Sequence, residues 1–139
     1  MNEANHITLR KILVFVAIVE IGTGLVLMAD PVFVVAWLIG MPLTGAGVAA
    51  GRCFGIALLA LGLACLPSRR QEDARSRAVK AMSAYNALVA LYLGYLGVVG
   101  HASGVLLWPA VVLHASVAMA LVWACCAKNP NSANETAQR

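Results

Sequence analysis

Residues 9–28 read LRKILVFVAIVEIGTGLVLM, and this stretch decides the fold. After Arg10 and Lys11 it runs apolar over about the ~20 residues that a helix needs to cross a bilayer, with one acid, Glu20, in its middle. Asp30 and Pro31 follow, and they read as an N-cap and the first position of a new helix. They do not form a small-residue cleavage site, so the segment is expected to stay as span 1. Outward from it, three more runs of spanning length cover residues 46–66 (span 2), 81–99 (span 3) and 105–127 (span 4). Residues 31–39 are apolar and include Trp37, but they are too few to cross, and Gly40 with Pro42 stops them. A span 1 running on to Ile39 would have to hold Pro31 in its interior. The expected fold is therefore all-α: an integral membrane four-helix bundle with a short interfacial or re-entrant helix between spans 1 and 2. It forms one transmembrane domain over residues 1–139, with a disordered polar tail expected at 128–139.

Composition agrees. The chain has 139 residues, 61% of them apolar and 12% charged, against about 25% charged in an ordinary soluble domain. Its mean hydropathy is +0.83. The net charge of +4 gathers in short polar patches. Arg10 and Lys11 form one. Residues 69–80 form another, with Arg69, Arg70, Arg75, Arg77 and Lys80 set against Glu72 and Asp73, and Lys128 and Arg139 lie in the tail. In a four-span chain these all fall on one side, while Arg52 alone is basic elsewhere, inside span 2. The positive-inside rule then puts both termini in the cytoplasm of a cell inner membrane. The patches read as topology signals facing membrane lipid, with no nucleic-acid partner implied.

A charged side chain inside a span is costly and usually faces a partner or a cavity. Counting ~1.5 Å per residue from the span ends places Glu20 roughly 12 Å, Arg52 about 9 Å, Tyr92 about 10 Å and His114 roughly 13 Å below the outer surface. These four residues, one per span, are the candidate site. Glu20 and Arg52 are expected to pair, since a guanidinium engages a carboxylate through two hydrogen bonds. Such a pair serves either to fix helix register or, with Tyr92 and His114, to line a ligand or proton site. Arg52 snorkelling to the headgroups, leaving Glu20 protonated, is the alternative. Tyr85, Tyr92 and Tyr95 share one face of span 3 and read first as bundle core, with a pocket for a flat apolar ligand as the alternative. Asn86 reads as an interhelical hydrogen-bonding residue.

Gly47, Gly51 and Gly55 recur at every fourth position entering span 2, and Ala90 with Gly94 repeats the spacing in span 3. Gly22 and Gly24 interrupt span 1. Small residues so placed let helices approach closely in lipid. Cys53, Cys65, Cys125 and Cys126 form no Cys-x-x-Cys pair and read as small apolar fillers, with no metal site expected. His114 is the single histidine within a span, which is thin support for haem.

Four short spans, an acid followed by Gly22-x-Gly24, and Arg52-x-x-Gly55-x-x-x-Leu59-x-x-Gly62 resemble the small bacterial four-helix membrane proteins of the DoxX-like kind. That resemblance implies a four-helix bundle, with some members acting as membrane subunits beside quinone-linked oxidoreductases. The apolar segment 32–39 and the long basic loop depart from that pattern. The function expected first is that of a non-enzymatic accessory or assembly subunit acting through helix packing, with a membrane-protein partner or a homodimer. The alternatives are a binder of a quinone or other apolar ligand in an intramembrane polar pocket, or a small dimeric proton-coupled transporter. No cofactor is required by any residue pattern, and a quinone is the one that the tyrosines and the acid would suit.

Overall fold

The computed structural model describes residues 3–66 and 72–126. It contains five helices: α1 (Glu3–Ala29), α2 (Pro31–Ile39), α3 (Ala46–Cys65), α4 (Glu72–Val98) and α5 (Leu107–Cys126). Among the described residues all regular structure is helical. Four helices hold segments long and apolar enough to cross a membrane: Ile7–Ala29, Ala46–Cys65, Ser76–Val98 and Leu107–Ala124. The chain is an all-α bundle of four spanning helices with the short α2 between the first two. The charged residues from Glu72 onward continue helically into the third span, whereas residues 67–71 and the tail at 128–139 lie outside the described residues.

The bundle is built from two antiparallel pairs, α1 with α3 and α4 with α5. The first pair touches backbone to backbone. A Cβ placed on Gly24 would lie 2.7 Å from the Gly55 carbonyl oxygen and 2.8 Å from the Leu59 nitrogen, and one on Gly55 would lie 2.7 Å from the Gly24 carbonyl oxygen. A turn or two further along, a Cβ on Gly62 would meet Ile21 at 2.7 Å and the Ala17 carbonyl oxygen at 2.9 Å. Without water to drive association, such close packing is how helices in lipid gain attraction. Gly47 and Gly94 were expected to pack helices as well, inside the protomer or between protomers, and inside the protomer they do not. Gly47 meets only Leu43 from its own preceding loop, and nothing lies within 4 Å of a Cβ on Gly94. Gly47 lies beyond the end of α1, and Gly94 is turned away from α5, which Gly97 three residues on does meet through Leu107 and Trp108.

The two pairs join at the end where α1 and α4 begin. There Leu9, Leu13, Val16, Cys65, Val79 and Met82 pack into one core with Val117 and Leu121. At the opposite end α2 lies against α1, α3 and α5. Its start is set by sequence. Asp30 caps it by accepting from the Phe33 N–H at 3.0 Å, and Pro31 occupies the first turn, where a missing N–H costs nothing. Its end is closed by Gly40 in the left-handed region at φ 78°, whose N–H reaches the Ala36 carbonyl. Two more carbonyls of its last turn are taken by the α4–α5 loop. Ser103 N–H donates to the Ile39 carbonyl and Leu106 N–H to that of Trp37, both at 3.0 Å. Gly104 packs so closely on Trp37 and Leu38 backbone that no Cβ fits. This seam delays α5 to Leu107, two residues later than the apolar run alone indicates.

The outer surface of the bundle is apolar, with Phe15, Ile18, Leu91, Val112, Met119 and Trp123 exposed on the long helices. Exposed bulky side chains on every spanning helix match a hydrocarbon surround. Gly24→Val should force α1 from α3 and destabilise the detergent-solubilised protein by about 1–3 kcal/mol. Gly94→Ala should leave thermal unfolding unchanged.

Candidate functional site

Glu20 is 2% exposed and Asn86 1%, and these are the buried polar side chains among the described residues. Both lie where the packed core gives way to the α2 end. Glu20 points from α1 across the bundle toward α4, where Tyr85 lies beside it. Its Oε1 is buried and has no partner. One residue further along α4, Asn86 turns toward α5. Its amide nitrogen donates to the Met82 carbonyl at 2.9 Å, and its amide oxygen meets His114 Nδ1 at 2.7 Å. The His114 ring stands edge-on to Tyr85, with ring centroids 6.0 Å apart and planes at 83°. Four side chains from three helices thus form one polar layer: Glu20, Tyr85, Asn86 and His114. Helical spacing explains the division on α4. Tyr85 and Asn86 are neighbours about 100° apart around the helix, so one faces α1 and the other α5.

Above this layer is a cavity of about 790 Å³ to which all five helices contribute. Val34, Val35, Leu38 and Ile39 supply the α2 side, and Leu58 and Leu93 are among the apolar side chains from the long helices. Glu20, Tyr85 and His114 line it, and Thr23 and Tyr92 are the remaining polar side chains on the wall. The cavity exists because the two helix pairs share no close backbone contact at this end, and α2, only nine residues long, bridges the gap without filling it.

Two of the four expected site residues belong to this arrangement as expected: Glu20 and His114. Arg52 does not. It is exposed, no ion pair joins it to Glu20, and it is not on the cavity wall. The register of α1 on α3 is the reason. Ile21 lies beside Gly62, Met28 beside Gly55 and Pro31 beside Gly51, so Arg52 is level with the start of α2. Glu20 lies about eleven residues lower, roughly 16 Å along the axis. Counting depths from the helix ends failed because the first turn of α3 overhangs the end of α1 to pack against α2. Tyr92 is on the cavity wall but 63% exposed, well away from the acid. The tyrosine stripe is not bundle core: Tyr85 turns inward, while Tyr92 and Tyr95 are exposed.

Asn86 makes the interhelical bond expected of it. Tyr85 was seen in the sequence only as one of three tyrosines. Its offset of three residues from Met82 and seven from Tyr92 places all three near one face, and no spacing rule says which tyrosine meets the acid. Cys65 is buried as a filler in the core, while Cys53 is exposed.

Fold and site together define a multi-pass membrane protein with a ligand-sized cavity opening from a buried polar layer. No family model matches this chain, and neither a curated protein nor a solved structure matches it.

Tyr85→Phe should remove the hydroxyl beside the buried Glu20 and cost about 1–2 kcal/mol in unfolding from mixed micelles. Arg52→Gln should change stability by no more than about 0.5 kcal/mol. The reverse order would restore the Glu20–Arg52 pair.

Proposed function

We propose that this chain holds a small apolar molecule with one polar end, a quinone or a compound of similar shape, inside the membrane. The observation that carries the reading is the cavity itself, apolar over most of its wall, with Glu20, Tyr85 and His114 gathered at one end. Small-molecule sites take this form, a mostly apolar pocket with a few convergent polar groups. The volume falls within the ~300–1,000 Å³ usual for small-molecule sites. Apolar walls would hold a ring or tail, and the Glu20–Tyr85–His114 end would orient the head.

The described basic residues support the orientation expected from the charge bias. Arg10, Lys11, Arg77 and Lys80 are all exposed at the end where α1 and α4 begin. With that end in the cytoplasm of an inner membrane, the cavity sits in the outer half of the bilayer, within reach of lipid-dissolved molecules.

The reading as an accessory subunit acting through helix packing has less support. Part of its signal was the small-residue stripes, and of these Gly51 and Gly55 are spent within the chain on Pro31 and α1. Against proton-coupled transport stands the closed end of the bundle, where Leu13, Met82 and Leu121 are each 0% exposed below the polar layer. Binding, with no catalytic step, is the activity proposed.

In lipid nanodiscs, a short-tailed benzoquinone offered in its oxidised and reduced forms should quench tryptophan fluorescence saturably, since Trp37 and Trp108 both lie near the cavity end. Val35→Trp, which fills the α2 side of the cavity, should abolish saturable quenching while leaving helicity and thermal unfolding intact. Undiminished binding by that variant would remove the cavity as the site.

A further inference from the structure

Asn86 decides which hydrogens and lone pairs the cavity presents. A backbone carbonyl only accepts, so the side-chain group 2.9 Å from the Met82 carbonyl must be the amide NH2. Turning the amide over would set oxygen against oxygen there, so the hydrogen-bond network fixes the assignment. The amide oxygen therefore faces His114 Nδ1 at 2.7 Å. An amide oxygen only accepts as well, so Nδ1 carries the hydrogen. A neutral imidazole has one N–H, which leaves Nε2 as a lone pair. That nitrogen has no hydrogen-bond partner among the described residues, it is not a sealed buried atom, and His114 lies on the cavity wall.

Glu20 adds nothing fixed to that balance: its Oε1 is a sealed atom, and a carboxyl group donates when protonated and accepts when ionised. The Thr23 and Tyr92 hydroxyls on the wall adapt to either role. The polar end of the cavity thus offers one group of fixed role, the His114 Nε2 acceptor. A ligand ending in a carbonyl or an ether would set acceptor against acceptor there, while one ending in a hydroxyl would satisfy it.

We infer that the cavity selects a hydrogen-bond donor at the ligand's polar end: a phenol or hydroquinone whose hydroxyl is received by His114 Nε2, in preference to the corresponding quinone or ether. This rests on the proposal that the cavity binds an amphiphile at all. It goes further by naming the head group and assigning His114 as the specificity-determining residue, held in its tautomer by Asn86.

The test uses an alkylphenol and its methyl ether, which share shape and tail but differ in the one donor. Equilibrium binding to the whole protein in nanodiscs is measured for each and corrected for partition into empty nanodiscs. The phenol should bind about tenfold more tightly, the worth of one buried hydrogen bond. His114→Phe should lose the preference for the phenol, so that the ratio of the two affinities falls to about one. Ether binding shows that the variant retains its cavity, and the wild-type comparison stands without any variant. Equal wild-type affinities would overturn the inference and leave the cavity reading standing. So would a preference that survives in His114→Phe. Failure of both compounds to bind would overturn the inference and the cavity reading together.

Discussion

The contact of α1 on α3 at Gly24 and Gly55 sets the geometry of the whole bundle. Two helices whose backbones touch have little freedom to slide, because any shift brings a larger side chain into the gap. That contact places Pro31 on Gly51 and so fixes where α2 starts. It also places Arg52 at the level of α2, too far along the axis to reach Glu20. The acid then lies beside Tyr85, across the bundle on α4, instead of pairing on the helix packed against its own.

The second constraint is the demand of lipid that backbone polar groups be satisfied within the protein. A nine-residue helix has as many open ends as a long one, and in hydrocarbon each would be expensive. The sequence of α2 closes the first end with Asp30 and Pro31. Its last turn is closed from elsewhere, by the Ser103 and Leu106 N–H groups of the α4–α5 loop. The seam ties α2 to both helix pairs, so it spans the gap between them as a fixed roof. The cavity beneath follows from this arrangement: two pairs welded at one end, a bridge across the other, and too few side chains between to fill the space.

In the polar layer beneath that roof Asn86 uses its amide at both ends, and Tyr85 lies beside Glu20. What the layer leaves over toward the cavity is one imidazole nitrogen of His114. A group built only to hold helices together would not leave an acceptor unused at the edge of an apolar chamber. The leftover capacity is what turns a structural hydrogen-bond network into a candidate binding site.

Much of this protein was legible in its residues alone. Four apolar runs of spanning length, the Asp30–Pro31 start and Gly40 stop of the short helix, and Glu20 as a buried polar point each rest on local chemistry that acts within a turn or a span. The same is true of Asn86 as a residue that must bond across helices. What the sequence by itself could not determine is which residues meet. Gly47 and Gly55 have the same spacing, yet only Gly55 faces a neighbouring helix; Tyr85 and Tyr92 are the same residue type on one helix, yet only Tyr85 reaches the acid. Those outcomes depend on the axial offset and rotation between helices, which arise from side chains packing over the full length of each pair. Periodicity identifies a face. Only the tertiary structure decides what lies opposite it, and here that decided between an acid neutralised by Arg52 and an acid buried beside Tyr85 at the edge of a cavity.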